Sequence, residues 1–122
     1  HIPHAVTIDI DKDKKPDIVE NILEHTGCYD LGIVRYVLHY LNDYEVIQLF
    51  NGMNCLNVLV IQFTNQDLKM KYHNSKNEFK YFRTKEQLEA LLPTKAKHIF
   101  TGEYRCTEDS IGHLEELQAY II

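Results

Sequence analysis

Acidic residues recur at short intervals near the start of the chain, in the run D-I-D-K-D-K-K-P-D-I-V-E. Carboxylate oxygens on neighbouring positions are the ligands that Ca²⁺ and Mg²⁺ prefer. We therefore consider a divalent-metal site with the candidate ligands Asp9, Asp11, Asp13 and Glu20. Because strand positions two apart share a face, Asp9 and Asp11 also have the spacing of a magnesium site for phosphoryl transfer. The ordinary interpretation is a solvated strand that runs into a turn.

The same run resembles the calcium loop of EF-hand proteins, because acids stand at its first, third, fifth, ninth and twelfth places. The resemblance implies a calcium site and covers these residues alone. Lys14 stands where that loop has its glycine, and Pro16 lacks the backbone N–H found at its position in a paired loop. These departures favour the solvated turn over the metal site.

Cations with interleaved aromatic residues mark a second candidate site, in the segment 57–84. An exposed sheet face of this kind binds phosphates and stacks a base. The candidate nucleic-acid-binding residues are Lys69, Lys71, His73, Lys80, Phe82 and Arg83. The order of elements, three strands and then a helix, resembles the arm-DNA-binding domains of tyrosine recombinases, which implies DNA binding without matching motif residues. The alternative is a solvated face whose lysines prevent edge pairing.

A third candidate site is a group of aromatic residues in the segment 36–44. A helix-turn-helix between Asp17 and Phe50 would offer only Arg35 as a cation on its recognition helix, so a protein-facing surface fits better than a DNA-binding one. The candidate protein-binding residues are Tyr36, His39, Tyr40 and Tyr44. The alternative is that these side chains line the edge of the core.

Two similar segments, His4-Ala5-Val6-Thr7 and His98-Ile99-Phe100-Thr101, resemble the paired His-x-Thr motifs of two-histidine phosphoesterases, which implies catalysis on a phosphate. The extra residue places His and Thr on opposite faces of a regular strand, so a bulge at both places is required. His25-x-x-Cys28 has half of a zinc-site spacing and lacks the second half. No phosphate-binding glycine loop and no Gly-x-Ser-x-Gly motif occurs in the sequence.

The elements that position these residues follow from hydrophobic periodicity. Leu59, Ile61 and Phe63 lie on a strand that is apolar on both faces, and we expect it at the centre of the sheet. We predict an antiparallel meander over 57–83 and a helix that begins after a Thr84/Gln87 capping box and ends before Pro93. The other predicted elements are a strand at 6–10, helices at 17–26 and 31–41, a short helix or irregular segment at 46–50, a strand at 97–105 with a bulge at 101–102, and a helix that begins at 108–110.

These elements predict one α+β domain over residues 1–122, with a mainly antiparallel sheet of four or five strands and three or four helices mostly on one face. A chain of 122 residues with three widely spaced cysteines needs no disulfide and suits a reducing, cytoplasmic compartment. No apolar run approaches the roughly 20 residues that span a bilayer. Residues 67–97 carry eight Lys or Arg against four Asp or Glu, whereas both flanks are acidic.

The sequence therefore favours a small non-enzymatic binding or regulatory domain that contacts another protein, without a cofactor. Nucleic-acid binding through the 57–84 segment is the first alternative. A carboxylate metal site at 9–20, with or without phosphoryl transfer, is the second. The composition, rich in Lys, Asn, Ile and Tyr, is compatible with an AT-rich genome such as that of a phage or another mobile element.

Overall fold

The structure, a computed structural model, describes residues 5–64, 81, 83–105 and 114–122. These residues form an α+β fold with one four-stranded mixed sheet and one two-stranded parallel sheet. The strands are β1 (Ile8–Asp9), β2 (Ile18–Val19), β3 (Cys28–Arg35), β4 (Asn54–Thr64), β5 (Lys97–Arg105) and β6 (Leu114–Ile121). The α-helices are α1 (Asp43–Gly52) and α2 (Lys85–Leu91), and short 3-10 turns span Lys12–Lys14, Ile22–Glu24 and Leu38–Tyr40.

The larger sheet has the strand order β3-β4-β6-β5. β4 pairs in parallel with β3 and antiparallel with β6, which in turn pairs antiparallel with β5. Parallel neighbours need a crossover, and α1 lies between β3 and β4 in the chain. The sheet is therefore mixed, and the predicted antiparallel sheet is wrong in this respect. The central position predicted for the strand through Leu59, Ile61 and Phe63 is confirmed.

The predicted helix over 31–41 is wrong, because this segment forms the end of β3 and the 3-10 turn Leu38–Tyr40. Its apolar residues recur at three and four, but pairing with β4 places Val34 on the buried face and Ile33 on the opposite one. Tyr36 follows β3 with a φ of 55° and donates its backbone N–H to the carbonyl of Ile61, so the helix cannot continue through it.

Two further predicted helices are wrong for similar reasons. The segment 17–26 contains β2 and the 3-10 turn Ile22–Glu24, and Asp17 accepts hydrogen bonds from the N–H and hydroxyl of Thr7 instead of capping a helix. The predicted strand at 6–10 is reduced to the two residues of β1. The last helix predicted after Glu108 is replaced, in its described part, by β6. Two α-helices thus stand in the described residues, instead of three or four.

Both α-helices begin where local side chains predict them. Thr84 accepts from the N–H of Gln87 at 3.2 Å, and the Gln87 side chain accepts from the N–H of Thr84 at 3.0 Å, which confirms the capping box. Asn42 and Glu45 form the same pair at the start of α1. The strand Lys97–Arg105 is also confirmed. The second and third strands of the predicted meander fall on residues 65–80 and 82, outside the described part of the chain.

The core lies between the larger sheet and the two helices. Its buried side chains come from all of these elements and from the 3-10 turn: Val34, Leu38, Val46, Leu49, Val58, Val60, Leu88, Leu92 and Tyr120. Tyr120 and Val60 are paired neighbours on β6 and β4, and both face this core. Among the described residues, the two helices therefore pack on the same face of the sheet, as predicted.

Arg83 ties the start of α2 to the segment before α1. Its guanidinium donates to the carbonyls of Leu38 and Leu41, at 2.7 Å in each case, and to Asp43 Oδ1 at 2.9 and 3.0 Å. The residue is only 8% exposed. Arg83 therefore does not belong to an exposed basic face, because it is buried and four of its five N–H donors are used in hydrogen bonds within the protein.

We predict that Arg83→Met lowers the free energy of unfolding by about 2 to 4 kcal/mol, because two buried carbonyls lose a charged donor. Asp43→Asn is the matched control and costs less than about 1 kcal/mol, because the Asp43 side chain is 74% exposed. Urea denaturation of the two variants checks the difference. Equal and small losses would show that the carbonyl contacts of Arg83 contribute little.

Candidate functional site

A group of polar side chains continues the helix-covered face of the sheet beyond the apolar core. Gln62 on β4 and Gln118 on β6 are paired neighbours, and they are 3% and 0% exposed. Each amide contacts one histidine: Gln62 contacts His39, and Gln118 contacts His98. Thr64, which is 1% exposed, accepts a hydrogen bond from the Gln118 amide at 3.2 Å. Each of the two buried amides thus contacts one histidine, and the amides belong to paired positions of β4 and β6.

His98 and Thr101 converge on the oxygen of Gln118. The Nε2 atom of His98 lies 2.7 Å from Gln118 Oε1 and 2.9 Å from Thr101 Oγ1. Thr101 donates to the same Gln118 oxygen at 2.6 Å. An amide oxygen carries no hydrogen, so the short contact with Nε2 requires the proton of a neutral His98 to reside on that nitrogen. Gln118 therefore selects the tautomer of His98.

A β-bulge explains how His98 and Thr101 come to share a face. The register between β5 and β6 shifts between His98 and Phe100, and Ile99 is the extra residue of the bulge. The alternation of side chains between the two faces therefore reverses after Ile99. The bulge lies two residues before the predicted position. Thr7 of the similar segment contacts Asp17, and His4 lies outside the described residues. The described structure thus brings together one His-x-x-Thr segment and shows no contact with a second.

His39 is buried beside Arg83 at the other end of this polar group. Its pKa is lowered from 6.5 to about 4, mainly by burial and to a smaller extent by the positive charge of Arg83. The Gln62 oxygen accepts the N–H of Leu38, so the Gln62 NH₂ group faces His39 Nδ1 at 2.9 Å and donates to it. A proton on Nδ1 would remove this acceptor. His39 is therefore a neutral structural histidine and not part of an exposed protein-binding surface.

The opposite face of the sheet is apolar, and we call it the open face; of its apolar side chains, four are exposed, four are partly buried and Ala119 is buried. Strand alternation and register place nine apolar side chains on it: Leu31, Ile33, Leu59, Ile61, Phe63, Phe100, Leu117, Ala119 and Ile121. Exposed fractions of 53% for Leu31, 42% for Ile33, 54% for Phe100 and 44% for Ile121 are large for such side chains. Neither α1 nor α2 contributes its core residues to this face.

Tyr36 is the one predicted protein-binding residue that the structure places on the open face. Its ring stacks on Phe63 with centroids 4.4 Å apart and an interplanar angle of 7°. The guanidinium carbon of Arg35 lies 4.8 Å from the Tyr36 ring centroid, within the range of a cation–π contact. A positive φ at a tyrosine is uncommon, and it turns this ring back onto the sheet.

The other predicted protein-binding residues are dispersed. Tyr40 belongs to a 3-10 turn and is 40% exposed, and its ring contacts that of His39. Tyr44 lies on α1 and is 75% exposed. The structure therefore does not assemble Tyr36, His39, Tyr40 and Tyr44 as one surface, because the segment 36–41 turns after β3 instead of continuing as the predicted helix.

The candidate metal ligands lie in and beside the two-stranded sheet. Asp9 accepts the N–H of Asp11, and Asp11 accepts the N–H of Asp13, each at 2.9 Å. These bonds are typical of solvated Asx turns. Glu20 contacts His25 at 3.4 Å instead of joining the aspartates. In the part of the chain that the structure describes, no three His, Cys, Asp or Glu side chains are grouped closely enough to hold a metal ion.

The candidate nucleic-acid-binding residues are mostly outside the described ranges. Lys69, Lys71, His73, Lys80 and Phe82 belong to that undescribed set. Arg83 is described, and its donors are occupied within the protein as shown above. Of the cysteines in the described residues, Cys28 is a free exposed thiol and Cys55 a free, partly buried one.

Sequence reasoning missed the buried amides and the exposed sheet face. Gln62 and Gln118 carry no motif, and the sequence predicts no role for either, because amides are usually exposed. One signal was present: Gln62 stands inside the apolar run from Val58 to Phe63, where a polar residue must find a partner. Gln118 had no such signal, because its segment was predicted to be a helix.

We predict that His39 makes stability depend on pH between about 6.5 and 4. Its folded-state pKa is the lower one, so the unfolded chain binds the proton first as pH falls. The protonation of His39 therefore does not reduce the free energy of unfolding above about pH 6.5, and it reduces this free energy by about 2 kcal/mol at about pH 5. Denaturation of wild type and of His39→Asn, which keeps an acceptor for Gln62, measures it. The prediction is wrong if both proteins change equally over this range.

We predict that Gln118→Glu lowers the free energy of unfolding by about 2 to 4 kcal/mol at neutral pH, because it buries a carboxylate 3.3 Å from the Glu116 oxygen site. Burial raises the pKa of the new carboxyl, so the loss relative to wild type shrinks as pH falls toward about 5. Gln87→Glu is the matched control: it preserves an exposed capping box and changes stability by less than about 0.5 kcal/mol. A pH-independent loss at Gln118 would contradict this account.

Comparison with protein-family models gives no match, and comparison with curated proteins gives no significant match. Neither helix in the described part of the chain is long and apolar enough to cross a membrane.

Proposed function

We propose that this chain is a non-enzymatic binding domain that recognises another protein through the open face. The observation that carries the proposal is the exposure of apolar side chains on one side of a sheet whose other side is covered by helices. A contiguous apolar patch of this kind is typical of an interaction surface, whereas scattered exposed apolar residues are ordinary. The patch crosses all four strands of the larger sheet.

The composition at one edge of the open face supports the same proposal. Tyr36, Phe63 and Arg35 form a stack there, and tyrosine and arginine are the residue types enriched among those that dominate binding energies. A ring already stacked in the free protein loses little side-chain freedom on binding. The positive φ of Tyr36 is therefore explained as the backbone cost of presenting this ring.

The polar group around Gln118 supports catalysis less well. His98, Thr101 and Gln118 are bonded to one another, so the group's donors are satisfied without a substrate. Such a network rigidifies the sheet beneath the helices. Nucleic-acid binding through residues 69–82 stays an alternative, but Arg83 is no longer one of its candidate residues. The metal alternative likewise stays a prediction for residues 9–20.

We expect the double variant Ile33→Ser/Phe100→Ser to weaken partner binding at least about tenfold, because it removes two apolar side chains from the open face. Affinity purification from the source cell with nuclease treatment, followed by mass spectrometry, identifies the candidate partners, and titration with a purified candidate measures the Kd. Tyr44→Ser is the control, because Tyr44 is 75% exposed on α1 and away from the open face.

The proposal requires proteins that wild type and Tyr44→Ser capture and the double variant does not. Thermal denaturation must show that the double variant is folded, and we expect only a small loss of stability because both side chains are half exposed. Capture that survives the double substitution would reject the open face as the binding site. Capture abolished by nuclease would favour the nucleic-acid alternative.

A further inference from the structure

The distribution of charge on the open face indicates which kind of protein segment it binds. Arg35 on β3 and Lys97 on β5 are exposed cations at opposite edges of this face. By strand alternation, the positions between them on β4 and β6, 59 to 63 and 117 to 121, present only apolar side chains. No Asp or Glu occupies an open-face position in the described segments 31–35, 59–63, 97–102 and 117–121, and the first acidic residue at an open-face register position is Glu115, at the end of β6 away from Lys97. The face is thus an apolar strip between two cations in a chain of net charge −5.

The width of this strip matches one α-helix. Three strand spacings of about 4.8 Å separate β3 from β5, so the two cations stand about 14 Å apart across the sheet. A helix with its side chains is about 10 to 12 Å wide, so a single helix along the strands fits between them. Arg35 on β3 pairs with Ile61 on β4. Lys97 on β5 pairs with Ile121 on β6, and Ile121 pairs with Leu59 on β4. Because Leu59 and Ile61 are two residues apart, the two cations are also offset by two residues along the strands. They would therefore face opposite flanks of the helix on successive turns.

We propose that the open face receives an amphipathic helix of a partner protein, with carboxylates on both flanks of its apolar stripe. This inference rests on the proposed function and specifies its partner. The apolar stripe covers the strip, as α1 and α2 cover the other face of the sheet. The flanking carboxylates pair with Arg35 and Lys97 at the rim, where charges set partner choice and association rate more than affinity.

Other occupants fit the charges less well. A second copy of this chain would present the same two cations, Arg35 and Lys97, which repel those of the first copy, and one acidic open-face position, Glu115, at the end of β6 away from Lys97. A nucleic acid backbone would find two cations here, which is few for a surface that binds phosphates. An anionic lipid surface would attract these cations and repel the acidic remainder of the chain.

A display library of helical peptides tests the proposal. Its members share one Leu-rich stripe, and the positions that flank the stripe vary among Glu, Gln and Lys. With wild-type protein we expect enrichment of Glu at both flanks, and a Kd about three- to tenfold lower for Glu-flanked than for matched Gln-flanked peptides at about 0.15 M salt. With Arg35→Glu/Lys97→Glu we expect the preference to reverse toward Lys.

The inference is overturned if the flanks of wild-type binders show no preference or favour Lys, or if the charge-reversed protein selects the same peptides as wild type. It is also overturned if enriched peptides bind Ile33→Ser/Phe100→Ser as tightly as wild type, because their site then lies elsewhere. A dimer in light scattering that Phe100→Ser dissociates would identify a second copy as the occupant, and sedimentation with phosphatidylserine vesicles that the same substitution abolishes would identify a lipid surface. Either result would overturn the helix proposal.

The proposed function and this inference fail in different ways. Loss of partner capture in Ile33→Ser/Phe100→Ser, together with unselective peptide flanks, would keep the open face as a protein-binding site and reject the acidic helix. Capture that survives the double substitution would reject both. Tyr44→Ser serves as the control in each experiment, because it changes an exposed side chain outside the open face.

Discussion

The parallel pairing of β3 with β4 is the constraint on which the rest of this structure depends. Two successive strands can lie parallel only if the chain crosses over between them, and α1 makes that crossover. β4 therefore pairs with β3 along one edge and with β6 along the other. Next to β6, Val58 and Ile122 exchange backbone hydrogen bonds of 3.1 and 2.8 Å. Residues far apart in sequence therefore form the centre of the sheet.

This arrangement gives the two faces of the sheet different chemistry. On the helix-covered face, the apolar pair Val60 and Tyr120 is followed along β4 and β6 by the paired amides of Gln62 and Gln118. Amides suit this position because each offers a donor and an acceptor and needs no counter-ion. Each holds a histidine in a defined orientation without burying a charge. The polar group is therefore explained as an internal network.

The net charge of the chain differs from the local charge of the open face. The chain is acidic overall, but long-range charge reports on solubility and on encounter with other molecules more than on a particular surface. The open face is apolar, with Arg35 and Lys97 at its edges. In the proposed function this local pattern selects the partner, because apolar burial supplies most of the favourable free energy and rim charges discriminate among similar surfaces.

The sequence by itself determined the features that depend on neighbouring residues. The starts of α1 and α2 were predictable because a cap and its partner stand three positions apart, and the strand through Leu59 was predictable because both of its faces are apolar. Only the tertiary structure decided the segments 31–41 and 114–121, whose apolar residues recur at helical spacing although β3 and β6 form there. Their state depends on β4, a partner distant in sequence, and hydrophobic periodicity contains no information about that partner. The contact of His98 with Gln118, the burial of Arg83 and the stacking of Tyr36 on Phe63 likewise depend on residues distant in sequence.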